Sequence, residues 1–119
     1  MKPTGVMTNI AVDDLEGAKK FYADHLGLTV EAFNLGWVCQ LQSPDGRASI
    51  QLVTRDATAP EDSHISVHIG NDVDQAYADA VEQGLDIVHP LTTEPWGVRR
   101  FFVRAPDGTV INLVSHVDD

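Results

Sequence analysis

His64-Ile65-Ser66-Val67-His68 alternates polar and apolar side chains and runs on into Ile69. In an extended strand successive side chains take opposite faces, so Ile65, Val67 and Ile69 meet a core while His64, Ser66 and His68 face the other way. The stretch decides the fold because it opens a second pass through a pattern already present in the first half of the chain.

After it, Asn71-Asp72 leads into Val73, Ala76, Tyr77, Ala80 and Val81 at helical spacing, and Gly84 supplies a left-handed stop. Leu85 to His89 reads as a short strand, Pro90 to Gly97 as a loop and Val98 to Arg104 as a strand. Pro106-Asp107-Gly108 then turns the chain into a last strand, Thr109 to His116. The first half reads the same way. A strand from Val6 to Val12 precedes a helix carrying Leu15, Ala18, Phe21, Tyr22 and Leu26, with Asp13 as N-cap acid, Glu16 three residues on, and Gly27 as the stop. Strands follow at Thr29 to Phe33, Trp37 to Gln42 and Ala48 to Thr54, separated by Asn34-Leu35-Gly36 and Pro44-Asp45-Gly46. Gly27 answers Gly84, and one Pro-Asp-Gly answers the other, in the same order. The polar residues 55–63 fit neither period and form a linker. The expectation is one domain over 1–119, with modules at about 5–54 and 64–116.

Its 119 residues, 43% hydrophobic and 22% charged, suit one modest core. Eighteen acidic residues against eight basic ones give a formal net charge of -10, a field that repels nucleic acid phosphates and anionic membranes and leaves neutral or cationic ligands as natural guests. Cys39 is the single cysteine, so no intramolecular disulfide forms. No apolar run nears the ~20 residues of a membrane span, and Met1-Lys2-Pro3-Thr4-Gly5 lacks a signal-peptide core, so a cytoplasmic protein is expected.

Strand parity divides the side chains. Ile10, Val12, Cys39, Leu41, Ile50 and Leu52 share one face with their counterparts Ile65, Val67, Phe101, Val103, Ile111 and Leu113. The opposite face collects Met7, Asn9, Gln40 and Gln51 from the first half, and His64, Ser66, Arg100, Phe102, Arg104 and Asn112 from the second. It is too polar for a core and suited to binding.

The chain resembles the vicinal oxygen chelate superfamily of glyoxalase I, bleomycin resistance proteins, fosfomycin resistance enzymes and extradiol dioxygenases. Asn9-Ile10-Ala11-Val12-Asp13-Asp14-Leu15, Lys20-Phe21-Tyr22, Leu26-Gly27-Leu28, and Pro95-Trp96-Gly97 through Asp107-Gly108 to Ile111-Asn112-Leu113 carry the resemblance. It implies an α+β fold: two βαβββ modules forming a cup-shaped mixed sheet, helices outside and ligand inside. It says little about reaction, since one fold hosts many chemistries.

Metal-dependent members of that superfamily hold a divalent ion through His and Glu at four strand positions. Matched by motif, those positions are Met7, Gln51, His64 and Asn112, of which His64 alone has a commonly ligating side chain. His68 lies roughly 13 Å from His64 along the strand, too far to share an ion. The resemblance therefore narrows to the metal-free bleomycin resistance type, whose members are acidic homodimers that sequester a cationic drug.

The leading expectation is a metal-free, cofactor-free small-molecule binding protein, an antibiotic-sequestering homodimer with an aromatic or cationic ligand and no nucleic acid or membrane partner. Its candidate ligand-binding residues are Asn9, Gln40, Gln51, His64, Ser66, Trp96, Arg100, Phe102 and Asn112. The alternative is a lyase, isomerase or dioxygenase-like enzyme acting through His64, with or without a divalent metal. An accessory module with a vestigial cup is a third reading. Two residue-level choices stay open. Trp96 either walls a ligand site or plugs its loop, and Arg100 and Arg104 either hold a ligand carboxylate or pair with acids such as Glu94 and Asp107. Trp37 is expected to pack with Cys39 and Leu41, and His25, His89 and His116 to lie on the surface.

Overall fold

Leu15, Ala18 and Tyr22 recur at helical spacing, and in the computed structural model, which describes residues 1–117, they pack one side of helix α1 (Leu15–Leu26) against a sheet. Burial of Leu15 at 8% exposure fixes where the helix can begin. The cap is accordingly Asp14 and not Asp13: Gly17 N–H donates to Asp14 Oδ1 at 3.2 Å. Glu16 stays exposed in the first turn and bridges to Lys19 at 3.4 Å, so no capping box forms. Gly27 ends the helix at φ 73°, a left-handed conformation that glycine adopts without steric cost.

The chain divides into two units, one of Met7–Asp62 and one of Met1–Val6 with the chain from Ser63 onward. In the first, strand β1 (Gly5–Ala11) pairs in parallel with β4 (Ser49–Val53), β4 pairs antiparallel with β3 (Val38–Gln42), and β3 antiparallel with the outer strand β2 (Val30–Asn34). Cys39, Leu41 and Leu52 meet Leu15 of α1, with Ile10, Ile50 and Tyr22 around them. Burial pushes the Cys39 thiol up, away from the reactive thiolate. Trp37 precedes β3 and is half-buried, without joining that cluster.

The second unit repeats the order. Strand β5 (Ile65–His68) is parallel to β8 (Val110–His116), β8 is antiparallel to β7 (Val98–Arg104), and β7 to β6 (Asp86–Thr93). Thr4 N–H donates to the His68 carbonyl at 2.7 Å, fastening the N-terminal residues alongside β5. Helix α2 (Val73–Glu82) buries Val73, Ala76 and Ala80 against Phe101, Val103 and Leu113, and Tyr77 meets Phe101 edge-on at 5.1 Å. Each unit is thus a βαβββ module with a mixed sheet and its helix on one face, and the fold is α+β.

Pro90 does not end β6, although the sequence reads as a loop from there to Gly97. The strand continues to Thr93, with register shifts between Ile87 and His89 and between His89 and Thr92. Proline lacks a ladder donor and is tolerated where an outer strand is irregular. Strand β2 also shifts register, between Glu31 and Phe33. Among the described residues no helix is long and apolar enough to cross a membrane.

Candidate functional site

Because Leu52 and Cys39 turn toward α1, their strand neighbours turn away from it. On that second face Asn9 pairs with Gln51 and Gln51 with Gln40, a row of three carboxamides across β1, β4 and β3. All three are half-buried, and the side chains of Gln40 and Gln51 carry no hydrogen bond among the described residues. Met7 lies two residues back along β1 on the same face and is buried at 9% exposure.

The corresponding row of the second unit is Ser66, Asn112, Phe102 and His89, in register across β5, β8, β7 and β6. Asn112 Nδ2 donates to Ser66 Oγ at 3.0 Å, and both residues are buried. Asn112 Oδ1 is buried with no hydrogen-bond partner among the described residues, an acceptor that a ligand donor would satisfy. His89 is the correction here: expected at the surface, it is 7% exposed, because the continuation of β6 brings it opposite Phe102, whose ring it meets at 5.3 Å.

His64 stands just before β5 and is exposed. Its backbone N–H donates to the Val110 carbonyl at 2.8 Å, and Val110 N–H donates back to His64 Nδ1 at 2.9 Å. The imidazole thereby replaces a strand carbonyl and extends the β5–β8 ladder by one bond. A ring whose Nδ1 lone pair is engaged keeps its proton on Nε2 when neutral, so His64 presents a donor and no free lone pair.

Arg100 answers one of the open choices. Its Nε donates to Glu94 Oε2 at 2.6 Å, with both side chains at 4% exposure or less. His89 Nε2 lies 3.3 Å from the same carboxylate oxygen. The guanidinium carbon stands 5.0 Å from the Trp96 ring centroid and 4.8 Å from that of Phe102, so the aromatic face expected to meet a ligand cation meets an internal one. Arg104 pairs with Asp86 at 3.3 Å, and Asp107 instead accepts from Thr109 N–H, which holds its carboxyl below the usual range. His68, on the same side of β5 as Ser66, stacks on His116 at 5.6 Å; burial first, then the neighbouring imidazole, lowers its pKa.

Two helix-backed βαβββ modules with this strand order have a counterpart among known families. A model of the Glyoxalase/Bleomycin resistance protein/Dioxygenase superfamily matches residues 6–113. The chain belongs to this superfamily. Among solved structures, methylmalonyl-CoA epimerase from Mycobacterium tuberculosis is similar at TM-score 0.69 and 26% identity, over 98% of this chain and 90% of that one. A superfamily member from Vibrio splendidus, at TM-score 0.69 and 18% identity over 93% and 97% of the two chains, shares the fold. So does a hypothetical protein from Methanosarcina mazei, at TM-score 0.68 and 24% identity over 100% and 97%. No curated protein matches the sequence.

Taken one by one, the residues matched to the superfamily's divalent-ion ligands are poor donors for such an ion. Gln51 and Asn112 offer neutral amides, Met7 a soft thioether, and His64 has spent its Nδ1 lone pair on Val110. Among the described residues no group of three or more His, Cys, Asp or Glu is placed to hold a metal. What these residues offer is hydrogen bonding: the Gln40 and Gln51 carboxamides from the first unit, and Asn112 Oδ1 and the His64 Nε2–H from the second.

Proposed function

We propose that the chain binds a small organic molecule without a metal ion and releases it unchanged, in the manner of the bleomycin resistance branch of its superfamily. The observation that carries the reading is the bond from Val110 N–H to His64 Nδ1. It engages the lone pair through which the imidazole would hold an ion or abstract a proton, and Met7, Gln51 and Asn112, the other residues matched to the superfamily's ligands, are weak donors. Asn112 Oδ1 then favours a ligand with an N–H or O–H donor.

Thermal shift of chelator-dialysed protein tests this. Mn, Ni and Zn ions are expected to leave the melting temperature unchanged, whereas a bound organic ligand, with metal-free bleomycin as first probe, raises it and is recovered intact by mass spectrometry. At 100 times Kd the gain is about 2.7 kcal/mol. A stoichiometric ion lost on His64→Ala would overturn the reading.

The likeness to methylmalonyl-CoA epimerase supports a second reading, a proton-transfer enzyme in which His64 gives up Val110 to act as base. Deuterium uptake by methylmalonyl-CoA in heavy water, abolished by His64→Ala, would establish it; no uptake is expected. The resemblance to the bleomycin resistance branch also supports a homodimer, checked by sedimentation equilibrium at twice the chain mass.

A further inference from the structure

We infer that the carboxamide row of the first unit recognises a neutral ligand through a cis-amide edge, as in a lactam, an imide or a pyrimidine-dione. The inference rests on the metal-free binding reading, since Gln51 would otherwise be offered to an ion. Gln40 and Gln51 face each other across β3 and β4 in direct register, which places their Cβ atoms about 4.5–5.5 Å apart. Neither side chain has a hydrogen-bond partner among the described residues, although both are half-buried. A primary carboxamide presents one C=O and one N–H side by side. A cis-amide presents the complementary pair, so one glutamine closes a two-bond ring with it, much as glutamine reads the paired donor and acceptor of adenine. The second glutamine is left to meet the next polar atom of the ligand ring.

The surroundings fix the rest of the class. Nothing in the row is charged, so an ion drawn out of water there would find no counter-charge. One pleat along the same face, Ala11, Val53 and Val38 form an apolar row in register with the first, and the chain itself already covers Val38 and Val53, at 5% and 7% exposure, so the carboxamides are bounded on that side by apolar packing. The row therefore matches the amide edge of a neutral molecule, and a cationic ligand is the poorer fit.

The test uses the full, isotope-labelled chain and two probes, succinimide and N-methylsuccinimide, with the side-chain NH2 resonances of Gln40 and Gln51 as readout. Succinimide is expected to shift both resonances saturably. N-methylsuccinimide, which lacks the N–H donor, binds roughly tenfold more weakly, as the loss of one hydrogen bond implies. Gln51→Met keeps the volume and removes the response, and Gln40→Met serves the same purpose if that variant fails to fold. Equal response to the two probes, or undiminished binding in a folded Met variant, overturns the inference. A ligand that shifts residues 64–116 and leaves Gln40 and Gln51 unmoved overturns the row and spares the metal-free reading. Ion binding lost on His64→Ala overturns the metal-free reading and, with it, this inference.

Discussion

Replacing Glu94 with glutamine keeps the shape of the most deeply buried ionic contact and removes its charge. Arg100 would then stay at 4% exposure with a neutral acceptor where it now has a carboxylate at 2.6 Å. Losing one partner of a buried pair costs about 3–5 kcal/mol because the survivor is left uncompensated. Glutamine can still accept from Nε through its carbonyl, which places Glu94→Gln at the low end, about 3 kcal/mol. An unfolding entropy of about 2.1 cal/mol/K per residue over 119 residues makes that a fall of roughly 12 °C in melting temperature. Urea titration followed by circular dichroism measures it, with Arg100→Met and the double variant closing a thermodynamic cycle. The double variant is expected to regain most of the loss, since neither charge of the buried pair remains. A loss below about 1 kcal/mol for Glu94→Gln, the value typical of a solvent-screened pair, would refute the argument that this cluster is desolvated.

Other perturbations test other parts. His68 has a folded pKa below its unfolded value, so the folded state holds fewer protons; stability is complete above about pH 6.5 and declines as pH falls through that value, and His68→Gln should flatten the urea midpoint between about pH 8 and pH 5. Asp14→Ala should lose about 1 kcal/mol of stability with the α1 cap, while Asp13→Ala should lose nothing measurable by the same titration. Phe101→Ala, at a fully buried position between α2 and its sheet, should cost about 3–5 kcal/mol in chemical denaturation, and a cost near zero would mean that the surrounding side chains collapse into the space.

Features set by local chemistry were legible in the sequence. The helical period around Leu15 and Val73, the stops at Gly27 and Gly84, and the two Pro-Asp-Gly turns all depend on residues within a few positions of each other, and the repeat fixed their order. The helix start slipped by one residue because Asp13 and Asp14 are equally good caps until Leu15 has to be buried. The extension of β6 through Pro90 was not legible, since whether a proline breaks a strand depends on a register shift set by β7. His89 followed that error out of the core. The pairing of Arg100 with Glu94 stood among the sequence alternatives, but its choice over a ligand needed the depth of both groups. His64 was legible as a candidate and not in its role, because the amide that claims its Nδ1 belongs to Val110, far along the chain.

The interrupted registers of β2 and β6 have a consequence for how the protein behaves at high concentration. Each is the outer strand of its sheet, and each carries unpaired backbone groups along its free side. A straight run of such groups is a template on which another chain can add a strand, and then another, toward a fibril. Here the break at Glu31/Phe33, and the paired breaks on either side of His89, the second spanning Pro90, would throw an incoming strand out of step within a few residues. The same irregularity that hid the end of β6 from the sequence would hinder the addition of a further strand to its sheet.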